Sequence, residues 1–156
     1  MPECVIVKAG EEDIDRVANN LRPEHVREIS QFSTLPPFRA VWHSVDDSLV
    51  VLAGKMDAVA LFLAGAGRTR RREDVGTVWM LATAEVDLYP RAVAIAIKRL
   101  WGTAHRVAGV PVIEQFIPSW YGKGIRFLEW LGWERTDEDN PRRRRGMIRM
   151  IHKETR

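Results

Sequence analysis

With 156 residues, 46% of them hydrophobic and 29% charged, the chain has the composition of an ordinary globular protein and enough length for one domain with a sizeable core. No apolar run of about 18 residues exists, so neither a membrane span nor a secretory signal is expected. The net charge is only +3, and the single cysteine, Cys4, has no partner for a disulfide or a metal site, which fits a reducing cytoplasm.

Cys4 to Lys8 reads as a first strand. After Gly10 the period changes: Ile14, Val17, Ala18 and Leu21 recur at helical spacing, with Glu11, Glu12 and Asp13 at the positive end of the helix. Pro23 opens a second helix through Val26 and Ile29, and after Thr34-Leu-Pro-Pro37 a third carries Phe38, Val41, Trp42 and Val45. Leu49 to Ala53 and Ala58 to Ala64 flank Gly54-Lys-Met-Asp57, a predicted hairpin; Gly65, Gly67 and an arginine cluster predict a second turn before the strand from Val75 to Thr83. Pro90 marks a helix with Val93, Ile97, Leu100, Trp101 and Ala104 on one face and Gly109 beyond its end. Val112 to Ile117 is a strand, and Tyr121 to Leu131 a helix in which Ile125, Leu128 and Leu131 repeat and Gly132 supplies a left-handed cap. A strand from Trp133, a turn through Asn140-Pro141 and a strand from Met147 to His152 complete the chain.

Three segments in this order carry a resemblance: the strand Trp79-Met-Leu-Ala-Thr83, the helix opening Arg91-Ala-Val-Ala-Ile-Ala96, and the helix-glycine-strand Ile125-Arg-Phe-Leu-Glu-Trp-Leu-Gly-Trp-Glu134. Together they resemble the acyl-CoA half of the Gcn5-related N-acetyltransferase (GNAT) superfamily. The resemblance implies an α/β (α+β) fold: one domain over residues 1–156, with a mixed central sheet of about seven strands flanked by helices. It also implies splayed parallel strands near Val75 and Val112.

The same resemblance implies acetyl-CoA as cofactor and a small-molecule or protein amine as acceptor. Leu81, Ala82 and Thr83 would offer backbone groups to the pantetheine. Arg91, Ala92, Val93, Ala94 and Ala96 would face the pyrophosphate, in the place of the signature R/Q-x-x-G-x-G/A. The first glycine of that signature is Ala94 here and Pro90 has no amide, so the loop is degenerate; Ala92, Ala94 and Ala96 also suit a packed helix. Glu85 and Glu114 are the candidates for the base, with Glu24 and Glu28 on the second helix behind them. Tyr121 is the candidate acid, because Leu128 stands where the superfamily often has a tyrosine. The usual asparagine is also missing, its region reading Pro118-Ser-Trp-Tyr121.

His25, His43, His105 and His152 are too scattered for a metal site. Arg68, Arg70, Arg71 and Arg72, then Arg142 to Arg145, read as solvated hairpin tips without interleaved aromatics, which the resemblance implies lie at opposite ends of the sheet, so a nucleic-acid partner is not expected. Trp120 and Trp130 are the tryptophans expected to mark a partner or a substrate wall. Finally, Asn20 to Ile29, taken with the two later segments, is similar to a family of GNAT-like proteins of tailed bacteriophages, some of them internal virion proteins. That similarity implies either an acyltransferase in the bacterial cytoplasm or a non-catalytic virion or host-interaction protein, with a phage or host protein as partner.

Overall fold

The computed structural model describes residues 2–69 and 72–154, and within them the order of elements follows the sequence reading. Strand β1 (Val5–Lys8) is followed by helices α1 (Glu11–Asn19), α2 (Pro23–Phe32) and α3 (Pro37–Asp46). Then come strands β2 (Val50–Met56), β3 (Val59–Arg68) and β4 (Val75–Ala82), helix α4 (Pro90–Ala108) and strand β5 (Val112–Pro118). Helix α5 (Gly122–Trp130) and strands β6 (Glu134–Thr136) and β7 (Met147–Lys153) complete it. The seven strands form one mixed sheet in the order β1-β2-β3-β4-β5-β7-β6, with β4 and β5 the parallel pair. No helix among the described residues is long and apolar enough to cross a membrane.

The alternation of side chains along the strands gives each sheet face its own core. Ile97, Leu100 and Trp101 of α4 and Leu128 of α5 cover Phe62, Val78 and Ile113 on one face. Ile14 and Val17 of α1, Ile29 of α2 and Val41 of α3 cover Ala53, Leu63 and Leu81 on the other. Between the pairs Lys55↔Ala60 and Gly54↔Phe62 the partner strand has one extra residue, Leu61. This bulge breaks the alternation, so Leu61 and Phe62 both belong to the α4 side.

Two expected turns fall elsewhere. Gly54 and Gly65 lie within β2 and β3, because each is the slot in which a neighbouring aromatic ring lies. A Cβ on Gly54 would stand 2.1 Å from Phe62 Cε1, and one on Gly65 would stand 2.2 Å from Trp79 Cε2. The real hairpin turn is Asp57-Ala58, both at positive φ (48° and 65°), the geometry that suits the twist of a two-residue hairpin. Gly65→Val is therefore expected to displace the Trp79 indole and cost about 1–3 kcal/mol, measurable by urea unfolding.

The arginine-rich connections also depart from expectation. Their strand ends are at opposite ends of the sheet, but the segment after β6 folds back, so that Arg72 pairs with Asp139 (3.4 Å) and Arg68 and Arg142 line the same cavity. Arg70 and Arg71 lie outside the described residues. Two of the scattered histidines meet: His105 Nε2 is 2.9 Å from His152 Nδ1. His105 Nδ1 faces the Val110 carbonyl, which only accepts, so Nδ1 carries the proton and His152 Nδ1–H donates to Nε2. No group of three or more metal-ligating residues exists among the described residues.

Candidate active site

The parallel ladder is short. Strands β4 and β5 pair only from Val75↔Val112 to Thr77↔Glu114 and then diverge. Thr83 N–H donates to Leu61 O, so in this antiparallel ladder the backbone groups of Thr83, Leu81 and Trp79 turn toward β3 and those of Ala82, Met80 and Val78 turn toward β5. The two available groups of Ala82 are taken: its N–H donates to His25 Nδ1 (2.9 Å) and its carbonyl accepts from Arg22 N–H (2.9 Å). Beyond the last ladder pair, Met80 is therefore the residue whose N–H and C=O face the opened gap.

A cavity lies on each side of this gap. The one beneath α4 and α5 measures about 690 Å³ and is walled by Arg22, Val93, Tyr121, Arg126 and Phe127. The other, of about 650 Å³, lies on the α1–α3 side among Phe32, Ser48, Arg68, Trp79 and Arg142. Both are of ligand-binding size. Four residues line both cavities: Glu28, Met80, Gln115 and Phe116. They mark where the two spaces meet through the sheet.

Glu28 and His25, one turn apart on α2, have opposite protonation behaviour for one reason. Burial favours the neutral form of each: it pushes the Glu28 carboxyl up to about 7, against the opposing charge of Arg142, and His25 down to about 4. With Nδ1 accepting from Ala82, the neutral imidazole of His25 carries its proton on Nε2, and its ring stands edge-on to Tyr121 at 6.0 Å. The sign for His25 follows directly. An unfolded histidine protonates near 6.5 and the folded one near 4, so the stability is present above 6.5 and lost as pH falls from 6.5 to 4. His25 alone contributes a loss of about 3 kcal/mol, which Glu28 opposes over the same range. It is therefore read as the change between pH 7 and pH 4 in the stability difference between wild type and His25→Asn, which keeps an acceptor but not the titration.

The other predicted residues are placed as follows. Leu81 and Thr83 direct their backbone groups into the β3 ladder, and Ala82 is capped by α2. Ala94 and Ala96 are buried, and Val93 N–H already donates to Tyr89 O. Since Pro90 has no amide, Arg91 and Ala92 offer the N–H groups at the mouth of α4. Glu85 pairs with Arg16 at 2.5 Å and lines neither cavity. Glu114 lines the second cavity but is 1% exposed and bound to Arg149 Nε at 2.6 Å. Tyr121 reaches the first cavity, its phenol raised by burial. Trp120 donates to Gln31 (2.7 Å) under the Arg27 guanidinium, and Trp130, 73% exposed, stacks on Phe127 at the rim of the first cavity.

Sequence reasoning did not find Met80 or Gln115 and ranked Glu28 behind Glu85 and Glu114. A usable signal was present: Glu28 follows His25 by three residues and precedes Ile29 by one, so on a helix docked through His25 and Ile29 it borders the buried face. Glu24, its companion, is instead paired with Arg22 (3.0 Å).

The sequence matches no protein-family model and no curated protein. The structure does have similar solved structures. The GNAT domain of PAT from S. lividans superposes with a TM-score of 0.72 at 14% identity, over 97% of this chain and 90% of that one. Aminoglycoside acetyltransferase AAC(6')-Ib, solved with coenzyme A, gives 0.69 at 14% identity, over 97% and 95%. YncA from Salmonella typhimurium, solved with acetyl-CoA, gives 0.66 at 14% identity, over 96% and 93%. The likeness extends over nearly the whole length of each chain, and the chain has the GNAT fold.

Proposed function

We propose that the protein is an N-acyltransferase that moves an acyl group, acetyl foremost, from coenzyme A to an amine. The observation that carries this reading is a single carboxyl, Glu28, shared by two cavities that meet through the gap between β4 and β5. The acyl-CoA belongs in the cavity beneath α4 and α5, where Met80 offers a free backbone edge and Lys123 and Arg126 supply positive charge for phosphates, with the amides of Arg91 and Ala92 next to Pro90, which lines it. The amine belongs in the cavity on the α1–α3 side.

In this reading the pyrophosphate loop is degenerate by one amide, at Pro90, while its mouth stays open because the Ala94 methyl is buried. Bound acetyl-CoA supplies an activated acyl thioester. Glu28, with a carboxyl near 7, takes the proton of the acceptor ammonium and leaves a nucleophilic amine at the gap. Met80 N–H faces the place of the carbonyl oxygen, and the Tyr121 hydroxyl is the proton donor for the departing thiolate. Glu85 and Glu114, committed to arginines, serve the fold. The phage-type origin and the virion role rest on the sequence resemblance alone.

The test is acetyl-CoA titration followed by melting. A ligand at about 100 times its Kd stabilises by about 2.7 kcal/mol. Release of free thiol in the presence of primary amines then measures transfer. No shift at millimolar acetyl-CoA would reduce the fold to a non-catalytic scaffold.

A further inference from the structure

Helix α5 sorts its side chains onto two sides. Ile125 and Leu128 are buried in the core, while Lys123, Arg126, Phe127 and Trp130 follow one another at i, i+3, i+4 and i+7 and so form one stripe on the opposite side. All four line the cavity beneath α4 and α5. Lys123 and Arg126 are exposed and make no ion pair among the described residues; the single acid of the helix, Glu129, pairs instead with Arg135 at 3.1 Å. Trp130 is 73% exposed, and its ring lies nearly parallel to that of the half-buried Phe127, with 24° between the planes and 6.3 Å between the centroids.

Two unpaired cations followed by a bare aromatic face suit a nucleotide: the cations attract phosphates, and an indole offers a flat base a surface to stack on. From Lys123 to Trp130 the helix advances about 10 Å, the scale on which a nucleotide extends from diphosphate to base. Coenzyme A brings a diphosphate, a further ribose phosphate and an adenine, in that neighbourhood of one another. Resting on the acyltransferase reading above, we propose that the adenine of the coenzyme lies on the Trp130 indole at the rim of the cavity, with Arg126, one turn before it, meeting the phosphate nearest the base. The absence of any acid from the stripe is what sets this occupant above a second copy of the chain.

The probes are coenzyme A, adenosine 3',5'-bisphosphate and 4'-phosphopantetheine, which lacks the nucleotide, titrated by calorimetry into wild-type protein, Trp130→Ala and Trp130→Phe. Coenzyme A and the bisphosphate should bind Trp130→Ala about 5- to 150-fold more weakly than the wild type, with Trp130→Phe restoring most of the loss. Binding of 4'-phosphopantetheine should stay within about twofold in both variants, which also shows that the rest of the cavity is intact. Unchanged affinity for coenzyme A in Trp130→Ala overturns the proposal, and a dimer in sedimentation that this variant abolishes would then give the indole to a second copy. Equal weakening of all three ligands overturns it as well, since the substitution would be acting through the fold of α5. If none of the three binds the wild type, the acyltransferase reading falls, and this inference with it.

Discussion

Glu28→Gln is expected to lower turnover by about 10²–10⁴-fold while making the protein harder to unfold at alkaline pH. Both effects come from one feature, a carboxyl whose burial raises it to about 7. Because the folded value lies above the unfolded one, the stability attached to this group is fully present below 4.5 and is lost as pH rises through 7. At pH 8 the wild type therefore carries a penalty of about 2–3 kcal/mol that glutamine, uncharged and of the same shape, does not. Urea unfolding at pH 8 and at pH 4 should show the difference at the first and none at the second. In kcat against pH, the inflection near 7 should vanish with the substitution. A variant that loses activity without gaining stability at pH 8 would mean that Glu28 is not held in the buried setting described above.

Arg149→Met carries the largest expected loss of stability, about 3–5 kcal/mol. Arg149 is 5% exposed and Glu114 1%, and their side chains meet at 2.6 Å across β7 and β5. Arg149 also donates to the Glu138 carbonyl (3.3 Å), so it fastens the segment after β6 to the sheet. Taking away the arginine removes the guanidinium that holds Glu114 Oε2, at a carboxylate with little access to water. The double variant Glu114→Leu, Arg149→Met should recover most of the loss, since both desolvation costs disappear together. Glu114→Gln serves as the contrast to Glu28→Gln: it should reduce stability and leave the kinetic inflection near 7 in place. Should that inflection move with Glu114 instead, the roles of the two carboxyls would be reversed.

The elements were readable because their periods are clean. Ile14, Val17 and Ala18 at helical spacing, the proline starts at Pro23, Pro37 and Pro90, and the glycine ends at Gly109 and Gly132 all sit where the structure has them. Gly54 and Gly65 misled for a physical reason. A glycine in a sequence signals freedom of the backbone, but at these positions it signals lack of bulk, and the rings that need the room belong to other strands. The site was less readable still. Which β4 residues face the gap depends on ladder parity, seen in the contact of Thr69 N–H with Val75 O and set only when β3 and β4 pair in register. Met80, rather than Leu81 or Thr83, is the outcome of that parity. Glu28 is an ordinary polar residue in the sequence; its character comes from what surrounds it after folding.

A sheet that parts in its middle also dictates traffic. In the acyltransferase proposed above, the two reactants would approach from opposite sides through the two cavities, so neither would block the door of the other and neither would have to leave before its companion arrives. Initial velocities plotted at several fixed concentrations of the second reactant should then give lines that intersect. A parallel set would point to an acylated side chain as a way station.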